Sequence, residues 1–167
     1  MYRNRMSAFG PIAFLEEVRN TPHICLAEGL RAANRAIMKH YVDGMAGSPV
    51  NPVQMSLLMR VYYLRNATMQ TLARHMETDR TTTTRNVEIL VRDGFLDVSE
   101  GADKRQRLVR LTKRGHEALE EAIPKWRKAQ ESLKESLGDE LWDNILRDTR
   151  LLIELGGIAC DRNAVAA

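Results

Sequence analysis

The sequence predicts a mainly α fold with one small β-hairpin wing, and three observations carry that expectation. Apolar residues recur at three- and four-residue steps over most of the chain, which is the period of amphipathic helices. The short stretch 95–111 abandons this period and alternates on either side of a charged turn, as a hairpin does. Between residues 50 and 94, helix-start and helix-stop residues follow one another closely, dividing that stretch into several short helices. Short helices followed by a hairpin describe a winged helix-turn-helix lobe. The expected division is residues 1–50 for an N-terminal tail and dimerisation helix, 51–113 for the winged lobe, and 114–167 for C-terminal dimerisation helices.

Each element has a local reason. Thr21 and Pro22 suit a helix start, because Thr caps free amides and Pro at the first position loses no needed donor. The helix that follows carries Leu26, Leu30, Ala33, Ile37, Tyr41 and Met45 on one stripe and should stop near Gly44 or Gly47. Asn51 and Pro52 repeat the start signal, with Gln54 completing a capping box, and Val53, Leu57, Leu58, Val61, Tyr62 and Leu64 make the next helix heavily apolar. Thr68 caps a barely two-turn helix with Leu72, Ala73 and Met76, and Asp79 caps the fourth. From Arg80 to Asp93 the inward face should be Thr83, Val87, Leu90 and Val91, with Gly94 as the left-handed stop.

Residues 95–99 and 108–111 then read as the two strands of the hairpin. Beyond Thr112, Leu119, Ile123, Trp126, Ala129, Leu133 and Leu137 form a stripe on a helix that Pro124 should bend, and Gly138 ends it. A last helix presents Leu141, Trp142, Ile145, Leu146, Leu152 and Ile153. Helices that outreach a small lobe bury such stripes against a second copy more readily than against themselves, so a symmetric homodimer is expected.

Charge distribution narrows the function. The chain carries 25 basic and 22 acidic residues, a net +3, which says little by itself. Residues 60–114, however, hold 12 basic against 7 acidic residues, a local +5, leaving −2 for the remainder. That is the footprint of a phosphate-binding surface, with a solvated basic face as the plainer alternative. The outer side of the fourth helix presents Thr81, Arg85, Glu88 and Arg92, flanked by Thr82 and Thr84. Four consecutive threonines are poor helix interior, but at an N-terminus their hydroxyls can meet phosphates or base edges where the dipole already favours an anion. In the hairpin turn, Arg105 suits a narrow minor groove and Asp103 can hold its guanidinium by a bidentate pair.

Other classes lack support. Cys25 and Cys160 are too few and too far apart for a disulfide framework, and His23, His40, His75 and His116 show no ligand spacing, so neither a metal nor another cofactor is expected. A Gly-rich phosphate loop, a nucleophile elbow and a His-Glu-x-x-His pattern are all missing from the sequence, so an enzyme is not expected. With no apolar run of bilayer length, the chain reads as cytoplasmic, with no membrane partner.

The segment NATMQTLARHMETDRTTTTRNVEILVRDGFLDVS, the wing DKRQRLVRLT and the helix opening KRGHEAL together resemble the MarR family of transcriptional regulators, over essentially Pro22 to Gly156. The resemblance implies an α-α-α-α-β-β-α-α chain and an obligate homodimer joined through its terminal helices. It also implies binding to a pseudo-palindromic double-stranded operator, most often as a repressor. Thr81, Thr82, Thr84 and Arg85 match the major-groove helix, and Asp103 and Arg105 the wing, with phosphate contacts falling to Arg74, Lys104 and Arg107. Family members commonly answer to a small, often aromatic effector held between the winged lobe and the dimer helices. Leu26, Leu30, Met55, Met59, Tyr62 and Trp126 would offer such a ligand an adaptable wall, although each also suits ordinary core packing. Some relatives sense peroxides through a first-helix cysteine, which makes a redox-sensing regulator acting through Cys25 one alternative. A winged-helix protein-interaction module without DNA binding is the other.

Overall fold

The structure is a computed structural model, and it describes residues 25–65, 67–101 and 106–155. Thr21, Pro22, His23 and Cys160 therefore lie outside the described residues. The chain divides into two compact units, Met1–Lys39 and His40–Ala167. In the first, residues 26–39 form most of helix α1 (Leu26–Gly44), with Leu26 and Leu30 exposed.

The second unit takes in the end of α1, then α2 (Pro52–Leu64), β1 (Ala67–Thr68), α3 (Met69–His75), α4 (Arg80–Arg92), β2 (Leu96–Glu100), β3 (Arg107–Leu111), α5 (Lys113–Leu137) and α6 (Asp139–Leu155). The short helices start where side chains satisfy their free amides. Asn51 Oδ1 accepts from the Gln54 N–H at 2.9 Å while Gln54 Oε1 accepts from the Asn51 N–H at 3.0 Å. Thr68 and Thr71 exchange the same pair of bonds at the start of α3, and Asp79 caps α4. Gly94 at φ +78° stops α4, a conformation glycine takes without a Cβ penalty.

One core joins α2 to α5 and the sheet. Met55, Leu57, Leu58 and Val61 of α2 pack with Leu72, Val87, Leu90, Phe95, Leu96 and Val109, and with Ala118, Leu119 and Ala122 of α5. The antiparallel sheet has the order β1-β3-β2, pairing Ala67 with Val109 and Leu96 with Leu111. At its base, Thr112 Oγ1 donates to Gly94 O at 2.7 Å and accepts from the Gly115 N–H at 3.0 Å, so one hydroxyl ties the end of α4 to the start of α5. Toward its other end, α5 meets the last turn of α1, from His40 on. His40 Nε2 lies 2.9 Å from Ala129 O, and the Tyr41 hydroxyl donates to Gln130 Oε1.

Several expectations need correction. The sequence suggests no strand before the hairpin, yet Ala67 and Thr68 pair with β3; two residues are too few to show a period. The hairpin strands are Leu96–Glu100 and Arg107–Leu111 rather than 95–99 and 108–111, because Glu100 and Arg107 also pair across the ladder. Val91 is 37% exposed, so the inward face of α4 narrows to Thr83, Val87 and Leu90. Pro124 lies inside α5, as the sequence places it. No helix among the described residues is long and apolar enough to cross a membrane.

Candidate nucleic-acid interface

The four threonines of α4 have four different circumstances. Thr83 turns inward, 2% exposed, and its hydroxyl donates within the turn, to Asp79 O at 3.1 Å or to Thr78 Oγ1 at 2.8 Å. Thr82 is exposed, and its hydroxyl donates to Asp79 Oδ2 at 2.6 Å while its N–H donates to Asp79 Oδ1 at 2.9 Å. Thr84, half-buried, donates its hydroxyl to Arg80 O at 2.8 Å. Thr81 is exposed, and among the described residues its hydroxyl has no partner. The bonds from Thr82 hold the Asp79 carboxyl below the usual carboxylate value.

Arg85 is exposed four residues along from Thr81, so these two occupy the centre of the outward face of α4. Arg80, in the first turn of the same helix, is exposed as well, although it is absent from the residues expected at the interface. Arg74 is exposed on α3 and Arg107 on β3, where Glu100 stands directly across the ladder. Further in along the ladder, exposed Arg110 faces Asp97. The Gly101 N–H donates to Gln106 O at 2.8 Å and carries the hairpin out to its turn. Asp103, Lys104 and Arg105 lie outside the described residues.

The candidate effector wall resolves differently. A cavity of about 220 Å³ is lined by Pro52, Met55, Ser56, Met59, Arg60, Tyr63 and Trp126. It brings together Met55, Met59 and Trp126 but not Tyr62, which is 55% exposed and meets the His116 ring edge-on at 5.9 Å. Tyr63 takes its place. Helical spacing permits either tyrosine, since both lie within about one turn of Met59, and only the position of α5 decides between them. Leu26 and Leu30 belong to the other unit. Cys25 is an exposed free thiol. Among the described residues no group of three or more His, Cys, Asp or Glu side chains could hold a metal.

The MarR family profile matches residues 50–106, from just before the cap of α2 to the end of the hairpin turn. No curated protein sequence matches the chain. Among solved structures, the chain is similar to the Mycobacterium tuberculosis transcriptional regulator MosR in complex with DNA, at 34% identity and a TM-score of 0.72, covering 80% of this chain and 96% of that one. A second MosR structure aligns at 30% identity and a TM-score of 0.70, covering 81% and 98%. MarR of E. coli, a mutant in complex with operator DNA, aligns at 18% identity and a TM-score of 0.71 over 78% and 94%, a likeness of fold alone. With the family profile on the winged lobe and a regulator more than 30% identical over almost its whole length, the chain belongs to the MarR family of transcriptional regulators.

Proposed function

We propose that this chain regulates transcription by binding a pseudo-palindromic double-stranded DNA operator as a homodimer, most simply as a repressor. The observation that carries the reading is the outward face of α4. Thr81, Thr82 and Arg85 stand solvent-exposed at the start of a helix whose inner face is locked by Thr83, Val87 and Leu90. An N-terminal helix turn with hydroxyls and a guanidinium fits the major groove, where base edges carry their full donor and acceptor pattern. The hairpin would bring Asp103 and Arg105 to the adjacent minor groove, and Arg74, Lys104 and Arg107 to phosphates. MosR and E. coli MarR, to which the chain is similar, have both been crystallised with DNA, which supports the same use here.

Dimerisation through the terminal segments, 1–50 and 114–167, gives the exposed apolar residues of α1 and α6 a place to bury. These include Leu26 and Leu30, and Leu141, Ile145, Leu146, Leu151 and Leu152. A small aromatic effector fits the cavity beside Trp126, where Met59 supplies an adaptable wall and Arg60 and Ser56 supply polar atoms.

The test is a fluorescence anisotropy titration with genomic fragments selected by the purified protein. Specific binding should weaken steeply with salt, because each neutralised phosphate releases counterions. Equal, weak affinity for all sequences would favour the protein-interaction alternative.

A further inference from the structure

The hydrogen bonds inside the first turn of α4 restrict what its threonines can say to a base. A threonine hydroxyl normally serves as donor or acceptor, rotating to suit its partner. Here Thr82 Oγ1 lies 2.6 Å from Asp79 Oδ2, and an ionised carboxylate can only accept. The proton of Thr82 must therefore point back at Asp79, and the face of the oxygen turned to solvent offers lone pairs alone. Thr84 is in the same condition, since Arg80 O, at 2.8 Å, is a carbonyl that can only accept. Thr81 keeps both options.

The geometry points to Asp79 as a specificity-determining positioning residue, which fixes Thr82 as an acceptor so that α4 reads an exocyclic amino group, adenine N6 or cytosine N4, in the major groove. This rests on the reading of α4 as the major-groove helix. Amino groups are the only donors that the bases present there; guanine N7 and O6, adenine N7 and thymine O4 all accept. An acceptor-only hydroxyl meets a bare ring nitrogen or carbonyl with lone pair against lone pair. Thr82 and Asp79 thus discriminate by polarity, although Asp79 itself need not touch DNA.

The two carboxylate oxygens have separate duties, and this makes the inference testable without losing the helix cap. Oδ1 accepts from the Thr82 N–H and Oδ2 from the Thr82 hydroxyl. In Asp79→Asn the amide oxygen can keep the cap, Asn being as good a cap as Asp. Its NH2 then donates to Thr82 Oγ1, which turns the hydroxyl proton outward and makes Thr82 a donor.

The experiment measures binding of the wild-type dimer, Thr82→Val and Asp79→Asn to a selected operator carrying base analogues one position at a time. Purine for adenine and pyrimidin-2-one for cytosine remove the amino group; 7-deazapurines remove N7. For the wild type, one amino deletion per half-site should weaken binding by about 3- to 10-fold, the worth of one hydrogen bond. Thr82→Val should be indifferent to that deletion. In Asp79→Asn the sensitivity should move to a 7-deaza substitution at the same or the neighbouring base pair. The inference is overturned if Thr82→Val abolishes sensitivity to N7 rather than to an amino group, if no analogue effect depends on Thr82, or if Asp79→Asn keeps the wild-type pattern. Failure of the wild type to select any operator would instead overturn the reading of α4 as a DNA-binding helix, and this inference with it.

Discussion

Gly115 sits against Phe95 so closely that a Cβ built on it would lie 2.1 Å from Phe95 O. Helix α5 therefore begins in contact with the backbone that leads into the hairpin, and only glycine permits the approach. Phe95 O already accepts from the Thr112 N–H at 3.1 Å, so the carbonyl cannot retreat without losing a bond at the base of the sheet. Gly115→Ala is expected to destabilise the fold by about 1–3 kcal/mol, the range for forcing an extra methyl into a packed site. Urea unfolding of the variant should show a lower midpoint with the slope unchanged. A midpoint equal to wild type would mean that α5 can shift away from the hairpin.

The cap of α4 should respond to acid in a defined direction. Bonds from the Thr82 hydroxyl and N–H hold the Asp79 carboxyl below its ordinary value of 3.8. A carboxyl whose folded pKa is lowered contributes stability that is complete above the unfolded value and is lost as pH falls through the folded one. The difference in urea midpoint between wild type and Asp79→Ala should thus be flat from neutrality down to the ordinary carboxylate range and shrink below it. A difference that changed around neutrality instead would point to another titrating group.

Much of this arrangement is legible in the sequence, for reasons that differ by residue. Caps are local: Asn51 with Gln54, Thr68 and Asp79 each act within three residues, so spacing alone reveals them. The inner face of α4 is legible through Thr83, Val87 and Leu90, but periodicity also places Val91 inside, since 100° steps leave a residue at the edge of the stripe undecided. Strand β1 escapes because two residues, Ala67 and Thr68, carry no alternation, and only their pairing with Val109 and Leu108 defines them. Tyr62 and Tyr63 cannot be told apart for the cavity because the deciding partner, Trp126, is distant in sequence. The polarity of Thr82 is hidden too, because Asp-x-x-Thr spacing signals a cap without showing where the hydroxyl proton goes.

Arg85 carries the clearest prediction for sequence reading. It lies beside Thr81 at the centre of the exposed face of α4 and offers a planar, bidentate fork. Arg85→Ala should weaken operator binding by about 1–3 kcal/mol and flatten the ranking of single-base operator variants, as expected when a base-edge contact is removed. Arg105→Ala should weaken binding by about the same amount if the hairpin turn enters the minor groove. Parent-like binding by both variants would show that the DNA-binding surface lies elsewhere.

The apolar face of α6 can be tested independently of DNA. Leu141, Ile145 and Leu152 are 48%, 37% and 38% exposed and recur at helical spacing. A charge there costs little in a single chain, where it meets water, and a great deal in an apolar interface, where it does not. Ile145→Glu combined with Leu152→Glu should leave the circular dichroism spectrum unchanged, shift sedimentation from dimer to monomer, and lower operator affinity by at least about tenfold through loss of the second reading head. A double variant that still sediments as a dimer would remove α6 from the proposed interface.

Arg74 and Arg107 should act on phosphate rather than on bases, and salt separates the two kinds of contact. Removing one phosphate contact should lower the slope of log affinity against log salt by about 0.9 and weaken binding to all sequences alike. The two arginines should nevertheless differ. Glu100 stands directly across the ladder from Arg107, so a neighbouring negative charge already offsets part of its potential. Arg74, exposed near the end of α3, has no ion-pair partner among the described residues. Arg74→Ala should therefore cost the fuller share of slope and Arg107→Ala the smaller. Glu100→Gln in an otherwise wild-type chain should remove that offset, tightening binding and steepening the slope. If Glu100→Gln leaves both unchanged while Arg107→Ala still weakens binding, the carboxylate does not modulate Arg107. If Arg74→Ala alters sequence ranking instead of slope, α3 contributes to base reading and not only to docking.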